Sequence, residues 1–358
     1  MTTVGLVFGG RSVEHRVSVA SARNVARGLA DAGHAVAPLG IGPDGGWVAT
    51  ATARAALDGA IDALPPGGRP VHATLAPLLE SGADVLFPIV HGTWGEDGTL
   101  QGFCEMLDLP YVGAGVTASA IAMDKVFCKQ VLASAGIPVV DAEVVTRAEV
   151  EADVAAALAR CARLAPPIFV KPSVGGSSVG VTKVERREAL GAAIADALRF
   201  DDRALVERGV VGRELECAVL GLETIEASAV GEIVPGKEFY DYADKYLDDG
   251  AKLLAPAPLD DDLAARVRRT AAAAFAAIGG WGMARVDFLL SRDGELFVNE
   301  LNTLPGFTDI SMYPRLWALS GLPLPALVGR LVAIAFERHA DRARLDQGIK
   351  GWIAEVGK

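Results

Sequence analysis

Residues 284–302, ARVDFLLSRDGELFVNELN, leave little choice of local structure. Two β-type runs flank Asp293-Gly294, a dipeptide favoured in the tight turns of hairpins. A two-residue turn there predicts Asp287 opposite Glu300, Arg285 opposite Asn302 and Leu290 opposite Phe297. Side chains alternate faces with period two, so Arg285, Asp287, Glu300 and Asn302 share one face. Val286, Phe288, Leu290, Phe297 and Leu301 fall on the other. Two carboxylates and an amide oxygen, with no Cys or His among them, make a hard-oxygen set that suits Mg²⁺. The alternative is a solvated face carrying ordinary cross-strand ion pairs. Register decides between them, because a slip of one residue scatters the set.

A second constrained stretch is residues 170–180, VKPSVGGSSVG, which joins two apolar runs. Glycines there let backbone N–H groups and hydroxyls surround phosphate oxygens without Cβ interference. Lys171 precedes the glycines, whereas the P-loop needs Gly-Lys-Ser/Thr opening a helix. No GxGxxG fingerprint occurs here or at Gly9-Gly10-Arg11-Ser12, so a mobile hairpin loop stays open as the alternative.

Around these stretches the chain of 358 residues suggests two or three domains. Residues 1–116 alternate strand and helix signals: strand 4–8 ending at Gly9-Gly10, helix 17–32 ending at Gly33, strands 34–41 and 84–90, and helix 100–107. That pattern predicts an α/β parallel sheet covered on both faces. The Gly/Ala/Pro-rich segment 44–70 carries the weakest signal. A helix over 117–135 closes at Gly136 with Pro138 beyond. A helix at 147–163 and strands 168–170 and 179–184 around the glycine loop follow. From Glu207 onward come strands, a polar excursion over 235–253, helix 260–278, the hairpin and a packing helix over 324–338.

Hydrophobic residues at 51% and charged residues at 22% exclude wholesale disorder. Lys plus Arg number 34 against 45 Asp plus Glu, a formal charge of −11 with no basic stripe, which argues against a nucleic-acid partner. Cys104, Cys128, Cys161 and Cys217 are scattered with no CxxC pair, as free thiols of a reducing compartment are. The N-terminus MTTVGLVFGG has no basic flank or cleavage site of a secretory signal. The apolar stretch 270–284 falls short of the ~18–20 residues of a membrane span. A soluble, cytoplasmic protein with no membrane partner is expected.

Seven motifs together resemble the D-alanine–D-alanine ligase family of the ATP-grasp superfamily: GGRSVEHRVS from Gly9, HGTWGEDGTLQG from His91, MDK at Met123, KPSVGGSSVG at Lys171, FYDYADKY from Phe239, ARVDF at Ala284 and NELNTLPGFTDISMYP at Asn299. The resemblance implies an N-terminal Rossmann-like domain (1–116), a central ATP-grasp subdomain (117–208) and a C-terminal one (209–358), α+β in the ATP-grasp part. It implies that one D-alanine carboxylate attacks the γ-phosphate of ATP, and that the amine of a second D-alanine then displaces phosphate from the acyl-phosphate. The dipeptide would feed peptidoglycan synthesis.

By the same resemblance, Asp287, Glu300 and Asn302 hold two Mg²⁺ ions, with Mn²⁺ as a substitute. Lys125 and Lys171 meet the α- and β-phosphates, and Ser177 and Ser178 in the glycine loop close over the γ-phosphate. Glu207 and Glu214 reach the adenine and ribose. Phe239 and Lys245 on the excursion, and Asn299 beside the metal ligands, complete the nucleotide site. Glu14 orients the first D-alanine and forms a triad with Ser177 and Tyr246. Arg285 and the Gly306 N–H stabilise the oxyanion, His91 lies near the first substrate, and Ser311 with the Met312 backbone takes the second carboxylate. A homodimer is implied as well. Alternatives are a relative that joins D-alanine to D-lactate or D-serine, and a nucleotide-binding protein without chemistry. An NAD-dependent dehydrogenase fails for want of a glycine fingerprint and ribose acid.

Overall fold

The computed structural model describes residues 1–68, 75–235 and 252–356. Strand β1 (Thr3–Gly9) is buried from Val4 onward, so it needs neighbours on both edges and cover on both faces. Helix α1 (His15–Asp31) covers it with Val19, Ala22, Val25 and Leu29. Strand β2 (Ala35–Ile41) follows, then α2 (Thr50–Leu57), α3 (Leu75–Glu80) and β3 (Val85–Pro88), giving a parallel sheet in the order β2-β1-β3. The weakly patterned segment 44–70 is organised by Asp44, whose carboxylate accepts the N–H groups of Gly46, Gly67 and Gly68. Helix α4 (Thr99–Met106) completes this part.

The turn from β1 into α1 passes through Gly9 and Gly10 at φ +95° and +97°, where a Cβ is costly. At Gly9 a Cβ would also lie 2.2 Å from the Ile41 carbonyl oxygen. Ser18 Oγ accepts from the Gly9 N–H (2.7 Å) and donates to the Ile89 carbonyl (2.5 Å), joining the ends of β1 and β3. Glu14, just before α1, thereby stands at the carboxyl edge of the parallel strands, where open α/β sheets bind ligands.

The single helix expected over 117–135 is two, α5 (Val116–Met123) and α6 (Lys125–Ser134). Between them Asp124 has extended backbone (φ −90°, ψ 101°) and its carboxylate accepts from the Val126 and Phe127 N–H groups. An aspartate satisfies the orphan donors of a helix start only from outside that helix. Lys125 therefore opens α6 and does not sit in mid-helix. Next come β4 (Ala142–Thr146), α7 (Arg147–Arg160), β5 (Ile168–Pro172), β6 (Thr182–Val184), α8 (Leu190–Ala197) and β7 (Arg203–Arg208), with the strands forming an antiparallel sheet in the order β4-β7-β5-β6. The strand expected over 179–184 is shortened to β6, because Ser177, Ser178 and Gly180 take φ of +50°, +58° and +71°.

A second antiparallel sheet, ordered β10-β9-β8-β11-β12, is built from β8 (Gly212–Gly221), β9 (Ile225–Val234), β10 (Lys252–Leu254), β11 (Gly282–Ser291) and β12 (Leu296–Asn302). Helix α9 (Asp261–Ala277) packs Val267, Ala271, Ala274 and Phe275 against its Leu215, Cys217, Val286 and Phe288. The polar excursion otherwise lies outside the described residues. Helix α10 (Met312–Leu319) is followed by α11 (Leu324–Val356), whose first half shares a core with β1 and α1. Helix α11 runs past the expected end at 338, with Arg342 paired to Glu105 and His339 Nε2 3.1 Å from Asp108. No single helix among the described residues is long and apolar enough to cross a membrane.

The hairpin turn differs from the expected one. Ser291 N–H donates to the Glu295 carbonyl and Gly294 N–H to that of Ser291, so Arg292, Asp293 and Gly294 form a three-residue turn with Gly294 at φ +83°. Leu290 consequently pairs with Leu296, not with Phe297. A bulge then reverses the offset: Phe288 pairs with Val298 but Asp287 with Glu300, leaving Asn299 as the extra residue. The two shifts cancel, and Arg285–Asn302 and Asp287–Glu300 stand as pairs. Phe297 leaves the core face and lies under the Arg208 guanidinium, 5.5 Å from its ring centroid.

The two kinds of left-handed glycine predict different costs. Gly33, at φ +83°, has open space around its missing Cβ, so Gly33→Ala should cost about 1 kcal/mol, the backbone penalty alone. Gly9→Ala adds a clash with backbone and should cost at least about twice that. Urea unfolding of the two variants compares them directly.

Candidate active site

A cavity of about 900 Å³ is lined by both antiparallel sheets, by α1 and by the loops at the carboxyl edge of the parallel sheet, near the upper end of the usual range for ligand pockets. Glu14 and His91 line it from the N-terminal part, and Lys125, Lys171, Ser177 and Ser178 from the middle. The last sheet contributes Glu214, Arg285, Asp287, Asn299, Glu300 and Asn302, with Gly306, Ser311 and Met312 beyond it. Phe239, Lys245 and Tyr246 lie outside the described residues.

On the hairpin, Arg285 grips Asp287 with both ends of its fork, Nε to Oδ1 at 2.6 Å and Nη2 to Oδ2 at 2.7 Å. Its Nε also lies 3.2 Å from Glu216 Oε1. Burial opposes the guanidinium charge, but Asp287 and Glu216 outweigh burial and raise its pKa well above the ordinary value. Asn302 Nδ2 donates to Asp287 Oδ2 at 3.0 Å. Among the described residues no three His, Cys, Asp or Glu side chains form a metal-binding group. The set here is the carboxylates of Asp287 and Glu300, paired across β11 and β12, with the Asn302 amide beside them. That donor chemistry fits Mg²⁺, which takes few protein ligands and completes its shell with water and phosphate oxygens.

The lysines come from α6 and β5 in the middle part of the chain. Lys171 Nζ is 2.5 Å from Glu207 Oε2 and 3.4 Å from Asn299 Oδ1, so the bulge at Asn299 is what brings that amide to the lysine. Lys129 Nζ is 2.5 Å from Glu207 Oε1. Burial would raise the Glu207 carboxyl, but the ammonium groups of Lys129 and Lys171 outweigh it and hold the pKa at about 2. Glu207, expected at the adenine, thus has its carboxylate between two lysines and does not line the cavity. Lys125 Nζ donates to the Gly175 carbonyl at 2.6 Å. The glycine loop reaches across to the N-terminal part: a Cβ on Gly176 would lie 3.3 Å from Glu14 Oε2. Ser177 and Ser178 hold left-handed backbone in that loop, a strain that concentrates at functional sites.

His91 has both ring nitrogens in use. Nδ1 lies 2.8 Å from the Leu304 carbonyl and so carries the proton, while Nε2 accepts from Ser21 Oγ at 3.0 Å. Ser21 Oγ in turn accepts from the Phe307 N–H. Burial lowers the His91 pKa and keeps the ring neutral, with Glu14 opposing in part. The ring therefore ties the N-terminal sheet to the loop that carries Gly306. Ser311 Oγ accepts from the Thr308 N–H at 2.9 Å, and a Cβ on Gly306 would stand 2.8 Å from it. Met312, at the start of α10, lines the cavity and has its side chain buried against Gly231.

Three residues that sequence reasoning did not single out belong to this site. Glu96 accepts from the Gly92 N–H (2.8 Å) and the Leu304 N–H (3.1 Å); burial, and then the nearby Glu14 charge, push its carboxyl up to about 8. Its only sequence signal was its place within HGTWGEDGTLQG. Glu216 shares parity with Glu214 on β8, and the β8–β11 register sets it opposite Asp287. Lys129, one helical turn from Lys125 on α6, does not line the cavity but shares the Glu207 carboxylate with Lys171.

Comparison with known proteins decides the family. The model "D-ala D-ala ligase N-terminus" matches residues 3–114, and "D-ala D-ala ligase C-terminus" matches residues 131–333. The chain belongs to the D-alanine–D-alanine ligase family. A D-alanine–D-alanine ligase of Mycobacterium sp. (strain KMS) is 46% identical, covering 94% of this chain and 97% of that protein. A D-alanine–D-alanine ligase A of Chromobacterium violaceum is 45% identical, covering 97% of each. Among solved structures, the D-alanine-D-alanine ligase from Coxiella burnetii superposes with a TM-score of 0.81 at 32% identity, covering 100% of this chain and 99% of that one. The VanG D-Ala:D-Ser ligase from Enterococcus faecalis gives 0.79 at 32% identity, covering 93% and 99%. The two ligase-family matches include Glu14, His91 and the whole run from Lys171 to Met312, while Lys125 lies between them.

The protonated Glu96 has a consequence for pH. With a folded pKa near 8 and an unfolded value near 4.5, the folded state binds the extra proton in that window and stability falls as pH rises through it. Glu96→Gln removes this dependence. Its Tm relative to the parent should rise by about 2 °C between pH 5 and pH 8 and level off above that, as differential scanning calorimetry would report.

Proposed function

We propose that this protein joins two D-alanines to D-alanyl-D-alanine at the expense of ATP, through a D-alanyl phosphate, releasing ADP and phosphate. The observation that carries the reading is the meeting, on one cavity, of a cationic wall (Lys125, Lys171) and an acidic ribbon (Asp287, Glu300), with Arg285 between acids and Glu14 at the far edge. Family membership gives the reaction class, and the dipeptide is a building block for peptidoglycan precursors.

In this reading Lys125, Lys171 and the backbone of the glycine loop hold the phosphates, with Ser177 and Ser178 over the transferred group. Glu214 on β8 takes the ribose. Asp287, Glu300 and Asn302 would hold Mg²⁺, which supplies neutralisation of the β- and γ-phosphate charge during transfer. Glu14 orients the first D-alanine through its ammonium group, so that its carboxylate oxygen displaces ADP from the γ-phosphorus. The second amine, as the free base, then attacks the acyl carbon. Arg285 and the Gly306 N–H face the oxyanion of that addition, where preorganised donors act most strongly. Ser311 and the Met312 N–H take the second carboxylate at the positive end of α10. Collapse of the adduct expels phosphate, which leaves with the proton lost by the amine, and forms the amide. His91 and Glu96 act on this chemistry by holding the Gly306 loop. Tight closure of the glycine loop over Glu14 keeps water from the acyl phosphate.

Phosphate release from ATP, measured side by side with D-alanine, L-alanine, D-serine and D-lactate, tests the reading. D-Alanine alone should support rapid release with D-alanyl-D-alanine as product, and release that requires D-serine or D-lactate would replace it. The absence of a charged side chain at position 312 favours D-alanine as the second substrate. Glu300→Gln should lower kcat more than tenfold at saturating Mg²⁺ with an unchanged Tm, a barrier increase above ~1.4 kcal/mol.

A further inference from the structure

We propose that Asp124, paired with Arg203, is a positioning residue that locks Lys125 and the root of the glycine loop into one unit, and so sets nucleotide affinity without touching the nucleotide. The proposal rests on the reading of Lys125, Lys171 and the loop as the phosphate site.

Asp124 is 7% exposed, and several bonds converge on its carboxylate. Oδ1 accepts from the Val126 N–H (3.1 Å), the Phe127 N–H (3.2 Å) and Ser173 Oγ (2.6 Å), while Oδ2 accepts from the Arg203 guanidinium. Backbone contacts run beside these bonds. The Lys125 N–H donates to the Ser173 carbonyl at 2.8 Å and the Ser173 N–H to the Arg203 carbonyl at 3.0 Å, and Asp124 pairs with Val174 as a β-bridge. The Val174 N–H donates to Asp201 Oδ2 at 2.7 Å. Arg203 also lies over the Phe127 ring, 5.0 Å from its centroid.

The loop is therefore clamped through Val174 and changes character at the next residue. Gly175 takes φ +147°, and Ser177, Ser178 and Gly180 are left-handed. Lys125 stands on the clamped side and reaches across this change through its Nζ bond to the Gly175 carbonyl. Two physical effects meet at Asp124. Its cap breaks the helix between α5 and α6; without it the orphan N–H groups of Val126 and Phe127 lose their partner, and the apolar pattern of 116–134 favours one continuous helix. A continuous helix would turn Lys125 by about 100° per residue of added winding, away from Gly175. The charge effect is separate. A carboxylate this close to a polyphosphate would repel it, and Arg203 cancels that charge at its source.

The test measures binding of a fluorescent ATP analogue together with KM for ATP and for D-alanine. Asp124→Ala should weaken nucleotide binding about tenfold and leave KM for D-alanine within about twofold. Asp124→Asn keeps the capping oxygen and should recover most of the loss. Arg203→Met leaves the carboxylate uncompensated and should weaken nucleotide binding severalfold, more at low salt than at high. ATP should protect Lys125 from an amine-acylating reagent in the parent protein but not in Asp124→Ala. A folded Asp124→Ala protein that binds nucleotide within twofold of the parent overturns the proposal, as does an equal loss of D-alanine affinity. Should Asp124→Ala not fold, unchanged nucleotide affinity in Arg203→Met overturns it. A parent protein that binds no nucleotide would instead remove the reading beneath it.

Discussion

Arg285 grips Asp287 by both nitrogens of its fork in a place where an unpaired charge of either sign would be costly. Burial of an unpaired charge costs several kcal/mol, and this cavity gathers charge of both signs: Glu14, Glu214, Glu216, Asp287 and Glu300 against Lys125, Lys171 and Arg285. Pairing is what lets the fold keep them. Glu216 is a second carboxylate beside Arg285, so the guanidinium retains a partner if Asp287 turns to a cation. Across the cavity Glu207 does the same for two lysines at once. The acidic ribbon and the cationic lysines are thus each compensated internally, as the proposed binding of Mg²⁺ and phosphates requires of them.

Compensation of this kind needs sub-ångström placement, which long-range pairing supplies. Strand β11 is paired along its full length with β8 and from Arg285 to Leu290 with β12. The apolar face beneath, Val286, Phe288 and Leu290 against α9, prevents a slip, since a shift of one residue would bury the acids and expose the core. Charge and packing therefore specify the same register.

The acidic pairs were legible in the sequence through period-two alternation, yet they survive for a reason the sequence hid. Asp293-Gly294 announces a hairpin, but the extra turn residue and the bulge at Asn299 are decided by how β12 lies on β11, and only their cancellation keeps Asp287 opposite Glu300. Phe297, assigned to the core by simple alternation, pays for that with its place there. The parallel strands and α1 were readable because apolar runs and glycine punctuation are local signals. The break at Asp124 was not, since helical periodicity runs through it and the deciding partners, Ser173 and Arg203, are distant in sequence. Glu207 shows the same limit: an isolated acid in a strand does not reveal that two lysines face it.

The N-terminal part is joined to the loop that carries Gly306 by a shared apolar core, which includes Phe87 against Phe307, and by directed hydrogen bonds. His91 and Ser21 hold the Leu304 carbonyl and the Phe307 N–H, Asn24 donates to the Phe307 carbonyl, and Glu96 receives the Leu304 N–H. Backbone groups on both sides of Gly306 are thereby fixed by side chains from residues 21–96. A neutral His91 and a largely protonated Glu96 suit this task, because neither adds a charge beside Arg285 and Gly306, the oxyanion donors we propose. An ionised Glu96 would place a second negative charge near Glu14, and the oxyanion would then form in a less favourable field. Protonation of one carboxyl in the N-terminal part is in this way tied to the geometry and the electrostatics of a loop more than two hundred residues away in the chain.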